Sequence, residues 1–379
     1  MQKVKDIQMV DLKGQYVKIK EEIDSAILNV VESTAYINGP EVKQFSDELA
    51  DYLHVKHVIP CANGTDALQV AMMALGLQPG DEVITADFTF VATVEVIALL
   101  GLTPVLVDVD SDTFNINIEA LEKAITPKTK AIVPVHLFGQ CANMDAVMKL
   151  AKNHNLFVIE DTAQAIGASY TSTDGTTKKA GTIGDVGCTS FFPSKNLGCY
   201  GDGGALFTND DSLAEKIRVM ANHGMKVRYY HDEVGVNSRL DSIQAAILRI
   251  KLRHLDAYSQ ARYEAAMKYN KAFEHITEIE TPVISEQSTH VFHQYTLKVK
   301  GVDRNALQKH MMDSGIPAMI YYPVPLHAQK AYLDPRYSES DFEVTNALCE
   351  CVLSLPMHTE LSDDQITHIT STLISFLKN

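Results

Sequence analysis

The order of apolar runs along this 379-residue chain predicts an α/β fold: a three-layer large domain on a mostly parallel sheet, followed by a smaller α+β C-terminal domain. Three features predict it. Short β-branched runs alternate with helical patterns from residue 57 onward, and the strand runs are nearly all apolar, as strands covered on both faces must be. A helical stretch without Gly or Pro, 238–273, then separates this regular region from a less regular end.

The elements follow in order. HVIP (57–60) reads as a strand, and ANGTDALQVAMMALGL as a turn and a helix beginning near Thr65. Strand EVITA (82–86) precedes helix VATVEVIALLG, strand PVLVDVD (104–110) precedes IEALEKAI, and strand AIVPVH (131–136) precedes MDAVMKLAKNH. LFVIED (156–161) closes this series. DVGCTSFF (185–192) and GGALFTN (203–209) read as two more strands around the glycine-bearing PSKNLGCYGD, and 238–273 as one long connector helix. The N-terminal segment and large domain are therefore expected over 1–250, and the connector helix and small domain over 251–379.

Lys and Arg number 33 against 48 Asp and Glu, so the net charge is 33 − 48 = −15. A balance this negative repels nucleic acid and anionic membrane surfaces, so any phosphate ligand must be held by local geometry. The opening MQKVKDIQMVDLKGQY lacks the apolar core of an export signal, and no stretch approaches 18 uncharged apolar residues. Six cysteines (Cys61, Cys141, Cys188, Cys199, Cys349, Cys351) form no CxxC pair and read as reduced thiols, so a cytoplasmic location is expected. The pairs His54/His57 and His290/His293 have metal-compatible spacing but no Cys or carboxylate company, and no metal site is expected.

Three short segments carry chemistry. SFFPSKNLG (190–198) puts Lys195 just after a strand and before glycine-rich chain, where partial desolvation would lower its pKa and free its amine as a nucleophile. LFVIED ends in Glu160 and Asp161 at the carboxyl end of a parallel strand, where such sheets bind ligands. A carboxylate there, with Asp161 the candidate, pairs with a protonated ring nitrogen of a cofactor. In ANGTDAL (62–68), Asn63 and Gly64 permit left-handed backbone, and the free amides of the following helix start suit a phosphate, with Ser190 and Asn237 as additional contacts. Taken singly, each has an ordinary alternative: a solvated lysine, a strand-end acid, a helix cap. No GxxxxGK[ST] is present and no GxGxxG follows the first strand. Together and in this order, the three segments are the parts needed to hold pyridoxal 5′-phosphate (PLP) on a lysine.

The sequence closely resembles the DegT/DnrJ family of PLP-dependent nucleotide-sugar aminotransferases, of the aspartate-aminotransferase fold type. The resemblance rests on YINGPEVKQF, CANGTDAL, ADFTFVAT, PVHLFGQCANMD, VIEDTAQAIGA, SFFPSKNLG, GDGGAL, NSRLDSIQAAIL and YYPVPLH, spread over residues 36–327. It implies a PLP-transferase large domain in which Lys195 binds the cofactor and carries the proton during transamination. Asp161 would face the pyridinium nitrogen, Gln164 would lie against the ring or its phenolic oxygen, and Phe90, with Phe88 as second choice, would stack on the other face. Phosphate contacts would come from Gly64, Thr65 and Ser190, with Asn237 reaching in from the neighbouring subunit of a homodimer.

The resemblance further implies L-glutamate as donor, a nucleotide-linked keto-sugar as acceptor and ping-pong kinetics. Arg239 would face a sugar carboxylate, and Tyr321, Tyr322 and His327 would contact the sugar. Tyr321 stands where many relatives have His. YINGPEVKQF, CANGTDAL and Arg239 look most like the branch that aminates carbon 3 of UDP-linked 2-acetamido-3-keto uronic acids for surface polysaccharide or glycoconjugate synthesis. The competing readings are 3- or 4-amination of another keto-deoxysugar nucleotide, a dehydratase, which would carry His in place of Lys195, and a non-catalytic sensor on the same fold.

Overall fold

The computed structural model describes residues 6–378. Fourteen strands occur among them: β1 (His57–Cys61), β2 (Glu82–Ala86), β3 (Thr103–Val107), β4 (Thr129–Val133), β5 (Phe157–Asp161), β6 (Ser169–Thr171), β7 (Thr177–Lys179), β8 (Val186–Ser190), β9 (Gly204–Thr208), β10 (Met225–Val227), β11 (Tyr230–His231), β12 (Ile279–Glu280), β13 (Tyr295–Val299) and β14 (Val352–Leu355). Seven form the main sheet in the order β1-β9-β8-β5-β4-β2-β3. All neighbours pair in parallel except β9, which runs antiparallel to both β1 and β8. The mostly parallel α/β architecture expected from the alternating apolar runs is the one that forms.

Burial explains why these strands are so apolar. Val83, Ala131, Val133 and Ile159 face a core completed by Leu68, Met72 and Ile97. Ile84, Ile132 and Val158 face another with Leu121, Val147 and Leu150. Alternate residues of one strand thus enter different cores, which leaves few positions for polar side chains. The exceptions are informative: Asp87, Glu160 and Asp161 are buried carboxylates at or just past strand ends. A second, antiparallel sheet of β12, β13 and β14 packs against Ala266, Tyr269 and Phe273 of the helix Leu255–Phe273 and against Ile369 and Leu373 of the helix Asp363–Leu377.

The single connector helix expected over 238–273 is two helices, Ser242–Leu252 and Leu255–Phe273, separated at Arg253–His254. The first belongs to the large core, where Ala245, Leu248 and Leu252 meet Phe45 and Phe191. Residue 250 lies inside this helix, and the break between the two helices comes at Arg253–His254. Helical propensity runs through both segments; which core each faces is a tertiary choice.

The strand ends are also bonded to the C-terminal region. Asp108, just past β3, accepts from Val344 N at 2.9 Å, Thr345 N at 2.8 Å and Thr345 Oγ1 at 2.8 Å, serving the free amides at the start of the helix Glu343–Cys351. Asp108→Ala should therefore cost about 1–2 kcal/mol, the usual loss for a helix-capping side chain. Urea unfolding followed by circular dichroism measures it; a loss well under 0.5 kcal/mol would show that water replaces the cap.

Candidate active site

β5 ends with two adjacent carboxylates that point to opposite faces of the sheet. Asp161 is fixed through its backbone, its N–H donating to Pro134 O at 3.0 Å and its carbonyl accepting from His136 N at 2.9 Å. Its side chain is equally constrained: Oδ2 accepts from Thr93 Oγ1 at 2.9 Å and Oδ1 from Ala163 N at 3.1 Å. Only 7% of Asp161 is exposed, so its side chain is oriented with little water around it.

Glu160, on the other face, is fully buried. It accepts from His136 Nε2 and Gly181 N, each at 2.9 Å, from Ile183 N at 2.7 Å and from Gly184 N at 2.6 Å. His136 Nδ1 accepts from Ala142 N, which leaves the proton on Nε2 for Glu160. Burial pushes the Glu160 carboxyl upward, but His136 and the Gly184 and Gly181 amides outweigh it and the net direction is downward. Four donors on one carboxylate fix the loops 134–142 and 181–184 around Asp161.

Lys195 follows β8 in a tight loop, its backbone N–H donating to Phe192 O at 2.8 Å. The residue keeps some accessible surface, while protein around its amine removes most of the water. Burial lowers its pKa from 10.5 to about 8, and the charge of Asp161 opposes that fall. Burial alone does not single this lysine out. Lys251 is also pushed down to about 8, but it donates to the Gly198 carbonyl and lies 5.5 Å from the Tyr200 ring centroid, with no carboxylate partner among the described residues. Of these two buried lysines, Lys195 is set electrostatically against the strand-end acid Asp161.

The phosphate candidates also meet, by a route different from the expected one. Asn63 is extended (φ −167°), and Gly64 is the first residue of the helix Gly64–Ala74 rather than a left-handed turn residue. Glycine is required there for close approach, because a Cβ would lie 2.7 Å from Ser190 Cβ. Asn63 caps the helix by accepting from Asp66 N at 2.8 Å, and the Gly64 and Thr65 amides occupy its first turn beside Ser190. A Cβ-free helix start against a strand-end serine, a lysine of lowered basicity and an oriented carboxylate together suit an anionic aldehyde carrying a basic ring.

Gln164 joins this group. Its Oε1 accepts from Phe138 N at 2.8 Å and its Nε2 donates to the Tyr322 hydroxyl at 3.2 Å. Phe90 is 55% exposed and its ring lies 6.3 Å from that of Tyr322. The second choice, Phe88, is buried among Phe114, Phe138 and Tyr322 and has no free face. Tyr321 is partly buried, its ring 6.0 Å from that of Tyr322.

Three other expected residues lie elsewhere. His327 is not open to a sugar: its backbone N–H and Nδ1 bond Asp87 at 2.7 and 2.6 Å, its ring stacks on Phe342 at 4.2 Å, and its Nε2 is enclosed. The histidine anchors the loop after YYPVP to the end of β2. Asn237 is exposed, and Arg239 approaches His223 at 3.3 Å on the wall of a separate cleft of about 550 Å³ that Lys43, His57 and Arg218 also line. Among the described residues of one chain, neither bonds to Asp161, Gln164 or Lys195. Ser238 between them does reach the helix start, donating to Asp66 at 2.6 Å and accepting from Ala62 N at 3.0 Å. Sequence reading missed Thr93, Ser238, Asn196 and His293. Only His293 carried a signal, its spacing from His290, and that spacing suggests a metal rather than a neighbour of Lys195.

Fold and site together are those of an aminotransferase. The chain belongs to the DegT/DnrJ/EryC1/StrS aminotransferase family, whose sequence pattern matches residues 17–374. It is 47% identical to the UDP-2-acetamido-2-deoxy-3-oxo-D-glucuronate aminotransferase of Pseudomonas aeruginosa, over 97% of this chain and 99% of that protein. It is 43% identical to the UDP-N-acetyl-3-dehydro-alpha-D-glucosamine 3-aminotransferase of Acidithiobacillus ferrooxidans, over 97% of each. Among solved structures, NtdA from Bacillus subtilis with bound cofactor PMP is similar with a TM-score of 0.89 and 31% identity, covering all of this chain and 86% of that one.

A lysine held near pH 8 has a measurable signature. The rate at which an amine-directed reagent labels Lys195 in cofactor-free protein, read by peptide mass spectrometry, should rise through a midpoint near 8. Asp161→Asn removes the charge that favours the ammonium form, so its midpoint should lie lower; a midpoint that stays put, or one near 10.5 in the parent, would contradict the assigned environment.

Proposed function

We propose that this chain is a PLP-dependent aminotransferase that moves an amino group from L-glutamate to carbon 3 of a UDP-linked 2-acetamido-3-keto-glucuronic acid, as a cytoplasmic homodimer supplying surface polysaccharide or glycoconjugate synthesis. The observation that carries this reading is the meeting of the Lys195 loop, the doubly hydrogen-bonded Asp161 and the helix start at Gly64 packed against Ser190, an arrangement in which burial lowers the Lys195 pKa. The relative acting on the 3-oxo-glucuronate supports the substrate, and Arg239 offers a cation for its carboxylate.

Lys195 would hold the cofactor's aldehyde carbon, Asp161 its ring nitrogen, and Gly64, Thr65 and Ser190 its phosphate, with Gln164 and Phe90 beside the ring. When bound, PLP supplies an electron sink that acidifies the α-proton of an attached amine. The chain supplies the rest. Asp161, fixed by Thr93 and Ala163, keeps a negative charge where a protonated ring nitrogen needs one. Lys195, its pKa lowered by burial to about 8, would accept the donor's α-proton at Nζ and give it up to the cofactor's former aldehyde carbon, on the other side of the transferred nitrogen. Burial around this pair excludes the water that would compete for the proton.

Asn237 and Arg239 lie away from Lys195 within one chain, which supports their acting on the site of a second copy. The same segment carries exposed apolar residues, with Tyr229 75% and Val234 87% exposed, as a surface covered by another subunit would. Free cysteines throughout are consistent with a reducing compartment.

Purified protein given PLP and glutamate should release 2-oxoglutarate and aminate the 3-keto uronic acid nucleotide. Turnover on a 4-keto sugar with none on the 3-keto uronate would reject the substrate, and no 2-oxoglutarate at all would favour a sensor. Lys195→Ala should lower kcat by roughly 10²–10⁴-fold, the contribution of a positioned proton-transfer group. Arg239→Ala should raise KM for the uronate by roughly 10–100-fold, the value of a charged hydrogen bond, while leaving KM for glutamate within about threefold.

A further inference from the structure

The loop carrying Lys195 reaches a neighbouring segment through one of its own side chains. Asn196, next after Lys195 and 3% exposed, donates its Nδ2 to the Val291 carbonyl at 2.9 Å. Val291 in turn donates its N–H to the Gly139 carbonyl at 2.8 Å. One residue earlier in that second loop, Phe138 donates its N–H to Gln164 Oε1 at 2.8 Å and accepts from Gln294 N at 3.3 Å. A continuous path of hydrogen bonds and peptide units therefore runs from Lys195 through Asn196, Val291, Gly139 and Phe138 to Gln164. No step of it passes through a ligand.

The strap 291–294 that both loops share is held on two sides. Gly139 packs so tightly on it that a Cβ there would lie 2.8 Å from Phe292 N and 3.0 Å from His293 N. From the connector helix, Arg262 Nη1 donates to Phe292 O at 3.1 Å, His293 O at 3.3 Å and Met357 O at 3.0 Å. The far end of the lysine loop has its own anchor, the Gly198 carbonyl bonded to buried Lys251. Asn196 is not there to fill space: its Oδ1 is buried without a partner among the described residues, a cost that an apolar side chain would avoid. What the asparagine adds is the donor that reaches Val291.

We infer that Asn196 is a positioning residue for Lys195: through Val291, its amide fixes where the lysine loop stands relative to Gln164. The inference deepens the reading of Lys195 as the cofactor's lysine and rests on it. A lysine that moves a proton must keep its amine within reach of two carbon atoms in turn, and a displacement of about 1 Å can cost roughly 10²-fold in rate. The lysine stem is flexible, so a fixed backbone is what limits where the amine can go.

The test removes the donor with Asn196→Leu, which keeps the branching of the side chain, and with Asn196→Ala, which adds no bulk should the leucine variant fail to fold. The glutamate half of the reaction is followed in PLP-loaded protein, where it needs no sugar. What is read is 2-oxoglutarate released per loaded site, with loaded sites counted as borohydride-fixed label on the Lys195 peptide. The rate per loaded site should fall by about tenfold or more at saturating glutamate, with half-saturation within about threefold of the parent. Glutamate deuterated at its α-carbon should be slower still in the variants, because proton transfer by a misplaced amine is the slow step. A residue needed only for folding would lower the number of loaded sites and leave the rate of each unchanged. In cofactor-free protein, the pH midpoint for labelling Lys195 should rise by about half a unit or more, since a released loop admits water and burial is the larger of the two influences on that amine.

A rate per loaded site within about threefold of the parent, equal rates for the two isotopic forms of glutamate in the variants, or an unmoved labelling midpoint would overturn the assignment. Should neither variant fold, hydrogen exchange in the parent decides: the Asn196 side-chain amide should exchange far more slowly than a solvated one, and exchange at the solvated rate would refute the bond. Borohydride treatment of the loaded parent separates the two levels. No label on the Lys195 peptide defeats the cofactor reading itself, whereas label there with parent-like rates in the variants defeats only the part given to Asn196.

Discussion

A buried amine beside one buried carboxylate is the constraint around which the molecule is arranged. Taking Lys195 out of water favours its neutral form, and the Asp161 charge favours the ammonium; the balance leaves the pKa near 8, below that of a solvated lysine. Each half of that balance needs support from elsewhere. Asp161 remains an oriented anion because Thr93 and Ala163 donate to it and because Pro134 and His136 hold its backbone on both sides. Lys251 shows what burial does without a facing carboxylate: the same fall in basicity, spent on holding the Gly198 carbonyl of the neighbouring loop.

Much of this support comes from polar groups that touch no ligand. Glu160 collects four donors on the face opposite Asp161 and so binds the loops after β4 and β7 to the end of β5. The Asp87–His327 pair attaches the loop carrying Tyr321 and Tyr322 to the end of β2, and Asp108 attaches the helix Glu343–Cys351 to the end of β3. The ends of β2, β3 and β5 thus use carboxylates as anchors for distant chain, and at β5 the adjacent acid acts on the lysine. In a sheet with both faces covered, strand ends are the places where polar chain can gather without breaking the cores.

The main sheet was legible because its signals are local. Apolar runs such as EVITA and FVIED announce strands covered on both sides, and the strand boundaries agree to within about three residues. Lys195, Asp161, Gly64, Ser190 and Gln164 were legible as a set because each sits at a strand end or helix start, positions that topology brings to one edge of the sheet. His327 misled because YYPVPLH is a contiguous segment, and adjacency in sequence does not say that its last residue turns inward to Asp87 while Tyr322 turns to Gln164.

By itself, then, the sequence determined the alternation of strands and helices and the family, and it singled out the lysine and carboxylate of the candidate site, because periodicity and short motifs are properties of neighbouring residues. Tertiary structure alone decided that the apparent connector breaks into two helices facing different cores, that Gly64 serves close approach rather than a left-handed turn, and that Thr93, Ser238 and His293 border the site. Those outcomes depend on contacts between residues far apart in the chain, such as Thr93 with Asp161 and Asp66 with Ser238. Which distant pair meets is set by how the whole chain shares its buried space, and no local pattern encodes it.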